Sequence, residues 1–225
     1  MTTAASRRRR YAPRMPAGQR REQLLDAALE IALAGGFHAV TVDGVARATG
    51  VTRPVVYGLF ADRTELLHAL LDRCLTRAVE QLATVVPDVP ARDDPVDPDL
   101  LLTEGVTAYL RAVAADAPTW RVLLTPPEGA PPELRARVDE QHRAVLARLR
   151  RLVVWGLERR GGPQGLDVDL FARSVLTLTE GAARLHLADP GAYPVERFAA
   201  FVATLMAALA TDRPEEPSTD RRGAP

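Results

Sequence analysis

The sequence predicts an all-α fold, in which a small N-terminal cluster of helices precedes a larger helical body. Three observations carry that expectation. Apolar residues recur at three- and four-residue spacing from Gln19 to Ala210, each run is bounded by Pro or Gly, and no stretch shows the period-two alternation of a strand. With 225 residues and 47% hydrophobic content, the chain is long enough for one or two packed cores.

Residues 1–18 combine Arg7–Arg10 with prolines and no hydrophobic period, and read as a flexible basic arm. From Gln19 the residues Leu24, Leu25, Ala28, Ile31 and Ala32 share one helical face, and the run ends at "AGG". Thr41 can cap a short second helix that turns Val42, Val45 and Ala46 inward, and Gly50 supplies a left-handed stop. Thr52 can cap a third helix with Val56 and Phe60 inward. Asp62 with Glu65 forms a capping box for a fourth, which carries Leu66, Leu67, Leu70, Leu71, Cys74, Ala78 and Leu82. The stretch "PDVPARDDPVDP" breaks the pattern. Its carboxylates lack the alternating ligand spacing of a calcium loop, so a solvated loop is expected. Helices then follow over about 99–115, after Pro118, and over 133–160, 167–187 and 195–210. The expected organisation is therefore 1–18 arm, 19–66 small helical domain, 67–212 larger domain and 213–225 disordered tail.

The formal net charge is zero, yet residues 1–63 hold ten Arg against five acids, which leaves the remainder acidic. A basic N-terminal segment on an acidic body suits a nucleic-acid reader. All 29 basic residues are Arg, a bias typical of a GC-rich genome, so Arg at a given position says little about guanidinium geometry. No apolar run approaches the roughly 18 residues of a membrane span, and the N-terminal arginines precede no signal-peptide core. A cytoplasmic protein without membrane partners is expected. The lone Cys74 cannot form an internal disulfide.

No catalytic constellation is visible. His38, His68, His142 and His186 lack metal-ligand spacing, and no nucleophile elbow, P-loop or dinucleotide fingerprint occurs. Neither an enzyme activity nor a metal or cofactor is expected. The segment "TVDGVARATGVTRPVVYGLF" is different. Two short helices joined by "TGVT" meet the description of a helix-turn-helix, whose second helix enters the DNA major groove. With Val56 and Phe60 buried, Arg53, Pro54, Val55, Tyr57 and Gly58 face outward. Arg pairs with guanine, Val and Pro touch a thymine methyl, Tyr bonds a phosphate, and Gly lets the backbone approach.

From Arg20 to about Leu67 the sequence resembles the DNA-binding domain of the tetracycline-repressor (TetR) family. The residues that carry the likeness are "LLDAALEIALAGGF", "TVDGVARATGV", "TRPVVYGLF" and "DRTELL". The resemblance implies that Thr41 and Thr52 bind phosphates, that Tyr57 holds the backbone, that Arg53, Pro54 and Val55 read bases, and that Arg63 pairs with phosphate. Leu59 departs from the His or Tyr common at its position, which removes one phosphate contact. The Arg7–Arg10 arm could reach the minor groove or remain a plain tail.

The same resemblance implies a homodimer formed through the last two helices, a double-stranded DNA operator as partner, and a small-molecule inducer in the larger domain. Phe198, Phe201, Val202, Leu205 and Leu209 make an apolar face on the last helix. The preceding helix carries Leu170, Ser174, Thr177, Gly181 and Arg184 beside a second side of Phe171, Val175, Leu178, Ala182 and Leu185. Two faces suit one neighbour within the chain and one across a twofold axis. The candidate ligand-binding residues are Tyr109, Trp120, His142 and Trp155, large side chains with a polar handle. The candidate dimer set is Leu170, Thr177, Gly181, Arg184, Phe198, Phe201, Val202 and Leu205.

Overall fold

The structure is a computed structural model that describes residues 15–85, 88–91, 94–126, 128–160 and 165–210. The Arg7–Arg10 cluster and the expected tail at 213–225 lie outside these residues. The described residues form helices and no strand: α1 (Ala17–Gly35), a 3-10 turn (Phe37–Ala39), α2 (Val42–Thr49), α3 (Arg53–Tyr57), α4 (Arg63–Val85), α5 (Pro98–Ala115), α6 (Ala117–Leu124), α7 (Pro132–Arg160), α8 (Val168–Ala188) and α9 (Val195–Ala210).

Two compact units emerge, Met1–Arg73 with Pro127–Ala130, and Cys74–Pro126 with Pro131–Pro225. The division falls inside α4, several residues beyond the boundary at 66 expected from sequence. The reason is visible at Arg73, whose Nη1 reaches Asp26 at 2.6 Å and Glu22 at 3.2 Å, tying the first turns of α4 to α1.

In the smaller unit the caps expected at Thr41, Gly50 and Asp62 form, while Thr52 makes no side-chain cap bond to α3. Thr41 Oγ1 accepts the Gly44 N–H at 3.0 Å, and Gly50 ends α2 in the left-handed region at φ 68°. Asp62 Oδ1 accepts the Glu65 N–H at 2.8 Å, while Glu65 Oε2 accepts the Ala61 N–H at 2.6 Å. This reciprocal pair fixes the start of α4. Leu24, Leu25, Phe37, Val45, Val56, Phe60 and Leu66 close the core. The 3-10 turn has no counterpart in the sequence reading, because three residues carry no periodicity. Its Phe37 N–H donates to Glu128 O at 2.8 Å, within the same unit.

In the larger unit α5 packs against α6, α7, α8 and α9, and α8 against α6 and α7. The "PDVPARDDPVDP" carboxylates serve local structure. Asp97 caps α5 through the Asp99 N–H at 2.8 Å, and Asp94 accepts the Ala91 N–H at 3.0 Å.

Candidate DNA interface and ligand cavity

The recognition segment begins with its anchors. Val56 is fully buried and Phe60 nearly so, with the Arg21 guanidinium over the Phe60 ring at 5.4 Å. A five-residue helix held on two such points has one rotational setting. That setting leaves Val55 40% and Tyr57 53% exposed, with Arg53, Pro54 and Gly58 also on the surface. Pro54 sits in the first turn of α3, where its missing N–H costs nothing. Thr52 caps α3 with its backbone only, and its exposed hydroxyl makes no hydrogen bond among the described residues. Thr41 is exposed too, and while its oxygen accepts from Gly44 its own O–H can still donate.

Two residues carry relationships that the sequence reading missed. Arg53 forms an ion pair with Asp43 of α2, so the side chain expected to read a base is held across the two helices of the motif. The ten-residue separation offers no helical-face signal for that pairing. Arg63, expected at a phosphate, donates Nε to Val40 O at 2.7 Å and Nη2 to Phe37 O at 2.8 Å. Phe37 O also accepts the Val40 N–H that closes the 3-10 turn, at 3.2 Å, so Arg63 first of all braces the α1–α2 connection.

The larger unit holds a cavity of about 230 Å³ whose walls come from α4, α5, α6, α7, α8 and α9. Its lining is chiefly Leu, Val, Ala and aromatic, and the four ligand candidates Tyr109, Trp120, His142 and Trp155 all border it. Their polar handles differ. Trp120 spends its Nε1–H on Gln81 at 2.7 Å and meets the Tyr109 ring edge-on at 5.3 Å. Trp155 Nε1 is buried with no partner among the described residues. Burial, and then the Glu180 charge, push the Tyr109 phenol far above its ordinary value of 10.0, so it is a neutral donor.

Glu180, which the sequence reading did not single out, organises the polar wall. His142 Nε2 lies 2.6 Å from Glu180 Oε1, and Arg184 Nη2 lies 3.3 Å from Oε2. The hydrogen bond to Glu180 raises the His142 pKa against the opposing effect of burial. Burial acts to raise the Glu180 pKa, but the His142 and Arg184 contacts outweigh it and hold the carboxyl below its ordinary value. The available signal was an acid on the inward side of α8 with Arg184 four residues on. A second pair, Arg160 with Asp99 at 2.8 Å, also borders the cavity.

The α8 faces differ from the sequence expectation. The buried positions are Ala172, Ala183, His186 and Leu187, with Val175, Leu176, Thr179 and Glu180 at the cavity wall. Leu178 and Leu185, expected on the side that packs within the chain, are 70% and 44% exposed. Phe171 also borders the cavity, so the α8 part of the wall is Phe171, Val175 and Leu176 with Thr179 and Glu180 as its polar members. Of the dimer candidates, Leu170, Thr177, Arg184, Phe201 and Leu205 are exposed, while Gly181, Phe198 and Val202 are half-buried. Phe198 stacks on Tyr193, and Arg184 Nε donates to Leu124 O at 3.0 Å, so both already have partners within the chain.

Among the described residues no group of three His, Cys, Asp or Glu side chains could hold a metal ion. No described helix is long and apolar enough to cross a membrane.

Comparison with known proteins finds a family match for part of the chain and relatives over more of it. Residues 24–70 match the family described as "Bacterial regulatory proteins, tetR family". The HTH-type transcriptional activator FasR of Mycolicibacterium smegmatis is 30% identical over 128 residues, 56% of this chain and 54% of that protein. The HTH-type transcriptional regulator EthR of the same species is 26% identical over 199 residues, covering 86% and 89%. The chain thus spans about half the length of FasR and most of EthR. Among solved structures, a TetR-like transcriptional regulator from Rhodococcus sp. RHA1 superposes with a TM-score of 0.68 at 22% identity, over 89% of this chain and all of that one. The regulator FadR from Bacillus subtilis, in complex with stearoyl-CoA, gives 0.61 at 19% identity, over 82% and 96%. All four are named as transcriptional regulators or activators.

Proposed function

We propose that the chain, whose residues 24–70 match the tetR family of bacterial regulatory proteins, is a member of that family and a one-component transcriptional repressor, cytoplasmic, which binds a palindromic operator as a homodimer and is released by a small-molecule inducer. The observation that carries the DNA-binding part is the setting of α3, with Val55 and Tyr57 turned outward by the buried Val56 and Phe60. Outward apolar and aromatic side chains next to arginine are costly beside water and useful in a groove. Thr41, Thr52 and Tyr57 hold phosphates, Arg53, Pro54 and Val55 read base edges, and Gly58 admits the backbone. Remaining N–H groups of Arg63 add a phosphate contact.

Dimerisation is supported by the apolar side chains left uncovered on α8 and α9, where Leu170, Leu178 and Phe201 are each more than 60% exposed. A twofold axis through that face pairs each helix with its copy, and it sets the two recognition helices about 34–36 Å apart or a multiple of one DNA turn. The switch is supported by the cavity and by α4, which runs unbroken from Arg63 to Val85 and so belongs to both units. A ligand that favours one setting of α4 changes operator affinity, and a coupling of about 1–3 kcal/mol suffices.

Binding to a panel of operator variants tests the reading. Arg53→Ala is expected to cost roughly 1–3 kcal/mol and to relax preference at one base position, whereas Tyr57→Phe weakens all sequences alike. Equal loss on every variant for Arg53→Ala removes its base-reading role. An operator complex that no cavity ligand dissociates leaves a DNA-binding dimer without a switch.

A further inference from the structure

Resting on the reading that the larger unit binds a small molecule, we propose that its cavity selects an uncharged ligand, an apolar body carrying one hydrogen-bond-accepting oxygen that receives the Tyr109 hydroxyl. Three observations on the cavity wall converge on that class.

Among the described residues the wall offers no free cation. Its charged residues are Asp99, Arg160, His142 and Glu180, and each is already in an ion pair, Arg160 with Asp99 and His142 with Glu180. Arg184, behind the wall, is held by Glu180 and by Leu124 O. A ligand carboxylate entering here is desolvated without a counter-charge and faces the Glu180 carboxylate besides. A ligand ammonium finds only carboxylates that are already neutralised. Burying either charge unpaired is far more costly than burying an uncharged oxygen that is hydrogen-bonded.

The wall does offer a free donor. Tyr109 is buried to 8% exposure at the cavity, and its hydroxyl has no hydrogen-bond partner among the described residues. A buried O–H without an acceptor loses the bond it had in water, and an oxygen on the occupant restores it. Trp120 commits its Nε1–H to Gln81, whereas the Trp155 Nε1–H, buried and without a partner among the described residues, is a second donor on the wall.

Size completes the description. The cavity, of about 230 Å³, has room for a small organic molecule.

The two tryptophans of the chain, Trp120 and Trp155, both border the cavity, so intrinsic fluorescence reports its occupancy directly. Full-length protein is titrated with octan-2-one, octan-1-ol, octanoate and octylammonium at neutral pH, and with 1-chloroheptane as a body of similar size that accepts hydrogen bonds poorly. The ketone and the alcohol are expected to bind about tenfold or more tightly than either ion. Tyr109→Phe is expected to weaken the ketone roughly three- to tenfold and leave 1-chloroheptane unchanged. Glu180→Gln, which frees Arg184 and His142, is expected to improve octanoate several-fold and narrow its gap to the ketone.

Octanoate binding as tightly as the ketone overturns the proposal, as does a fluorescence signal indifferent to all five compounds. Equal weakening of ketone and chloroheptane by Tyr109→Phe removes the hydroxyl from the role assigned to it. Operator release is measured in parallel. A ketone that binds while the DNA complex persists confirms the ligand class and sinks the switch, so the two failures are told apart.

Discussion

In the smaller unit, Leu24, Leu25, Phe37, Val45, Val56 and Phe60 are each no more than 1% exposed, and its exposed large apolar residues include Val55 and Tyr57 on the recognition helix. In the larger unit, helices of similar composition surround a void and leave Leu170 and Leu178 of α8 and Phe201 of α9 uncovered. Under the proposed function, the contrast follows from what each unit would meet. A surface that reads a rigid groove gains from side chains aimed by a closed core, since an anchor that shifts re-aims all of α3 at once. A site that receives a small molecule needs the opposite, helices whose side chains stop short of filling the space between them. That incomplete packing lowers stability and makes room for an occupant to restore it.

The comparison breaks most visibly if matched truncations in the two units cost the same. Phe60→Ala removes a filled core position and the contact with Arg21, and is expected to lose ~3–5 kcal/mol in urea titration together with operator binding. Phe171→Ala, at the cavity wall and already half-exposed, enlarges an existing void and is expected to lose about 1–2 kcal/mol. Similar losses would mean that the cavity wall is as tightly determined as the core around α3.

Legibility in the sequence follows the same divide. The caps at Thr41, Gly50 and Asp62–Glu65 and the anchors Val56 and Phe60 are local, spaced within a few residues, so the sequence states them directly. The four cavity residues were also reachable, because a large side chain with a polar handle amid helical apolar runs has few other places to go. What could not be read were relationships across elements. The Arg53–Asp43 pair, the Arg63 donation to Val40 and Phe37, and the role of Glu180 each depend on how two helices are rotated against one another. The α8 faces illustrate this, since periodicity defines that a helix has an inward stripe but only packing decides whether Leu178 belongs to it.

A smaller and opposite effect is expected where the void itself is filled. Gly105 lies within α5 at the cavity wall, and a Cβ built there meets no atom within 4 Å. Gly105→Leu replaces a poor helix former and occupies open space, so it is expected to stabilise the protein by roughly 1 kcal/mol. The variant should retain operator binding while no longer responding to the eight-carbon ketone. Destabilisation by that substitution, measured by thermal melting, would show that the space is needed for packing as it stands and is not reserved for an occupant.

The least change is expected from the ion pair on the cavity wall, and its sign is fixed by the two shifts. His142 has its folded pKa raised above 6.5, so its contribution to stability is complete below that value and is lost as pH rises through the folded pKa. Glu180 has its folded pKa held below 4.5, so its contribution is complete above that value and is lost as pH falls through the folded pKa. Stabilisation by the pair is therefore greatest between about pH 4.5 and 6.5 and declines on the alkaline side as the imidazole loses its proton. The His142 side chain is 42% exposed, so water screens the pair and the slope is shallow. Melting followed by tryptophan fluorescence reports the larger unit alone, because Trp120 and Trp155 both lie in it. His142→Gln should flatten the decline between pH 6.5 and 8. A decline of equal slope in the variant would assign the pH dependence to other groups and leave the Glu180 carboxylate held by Arg184 alone.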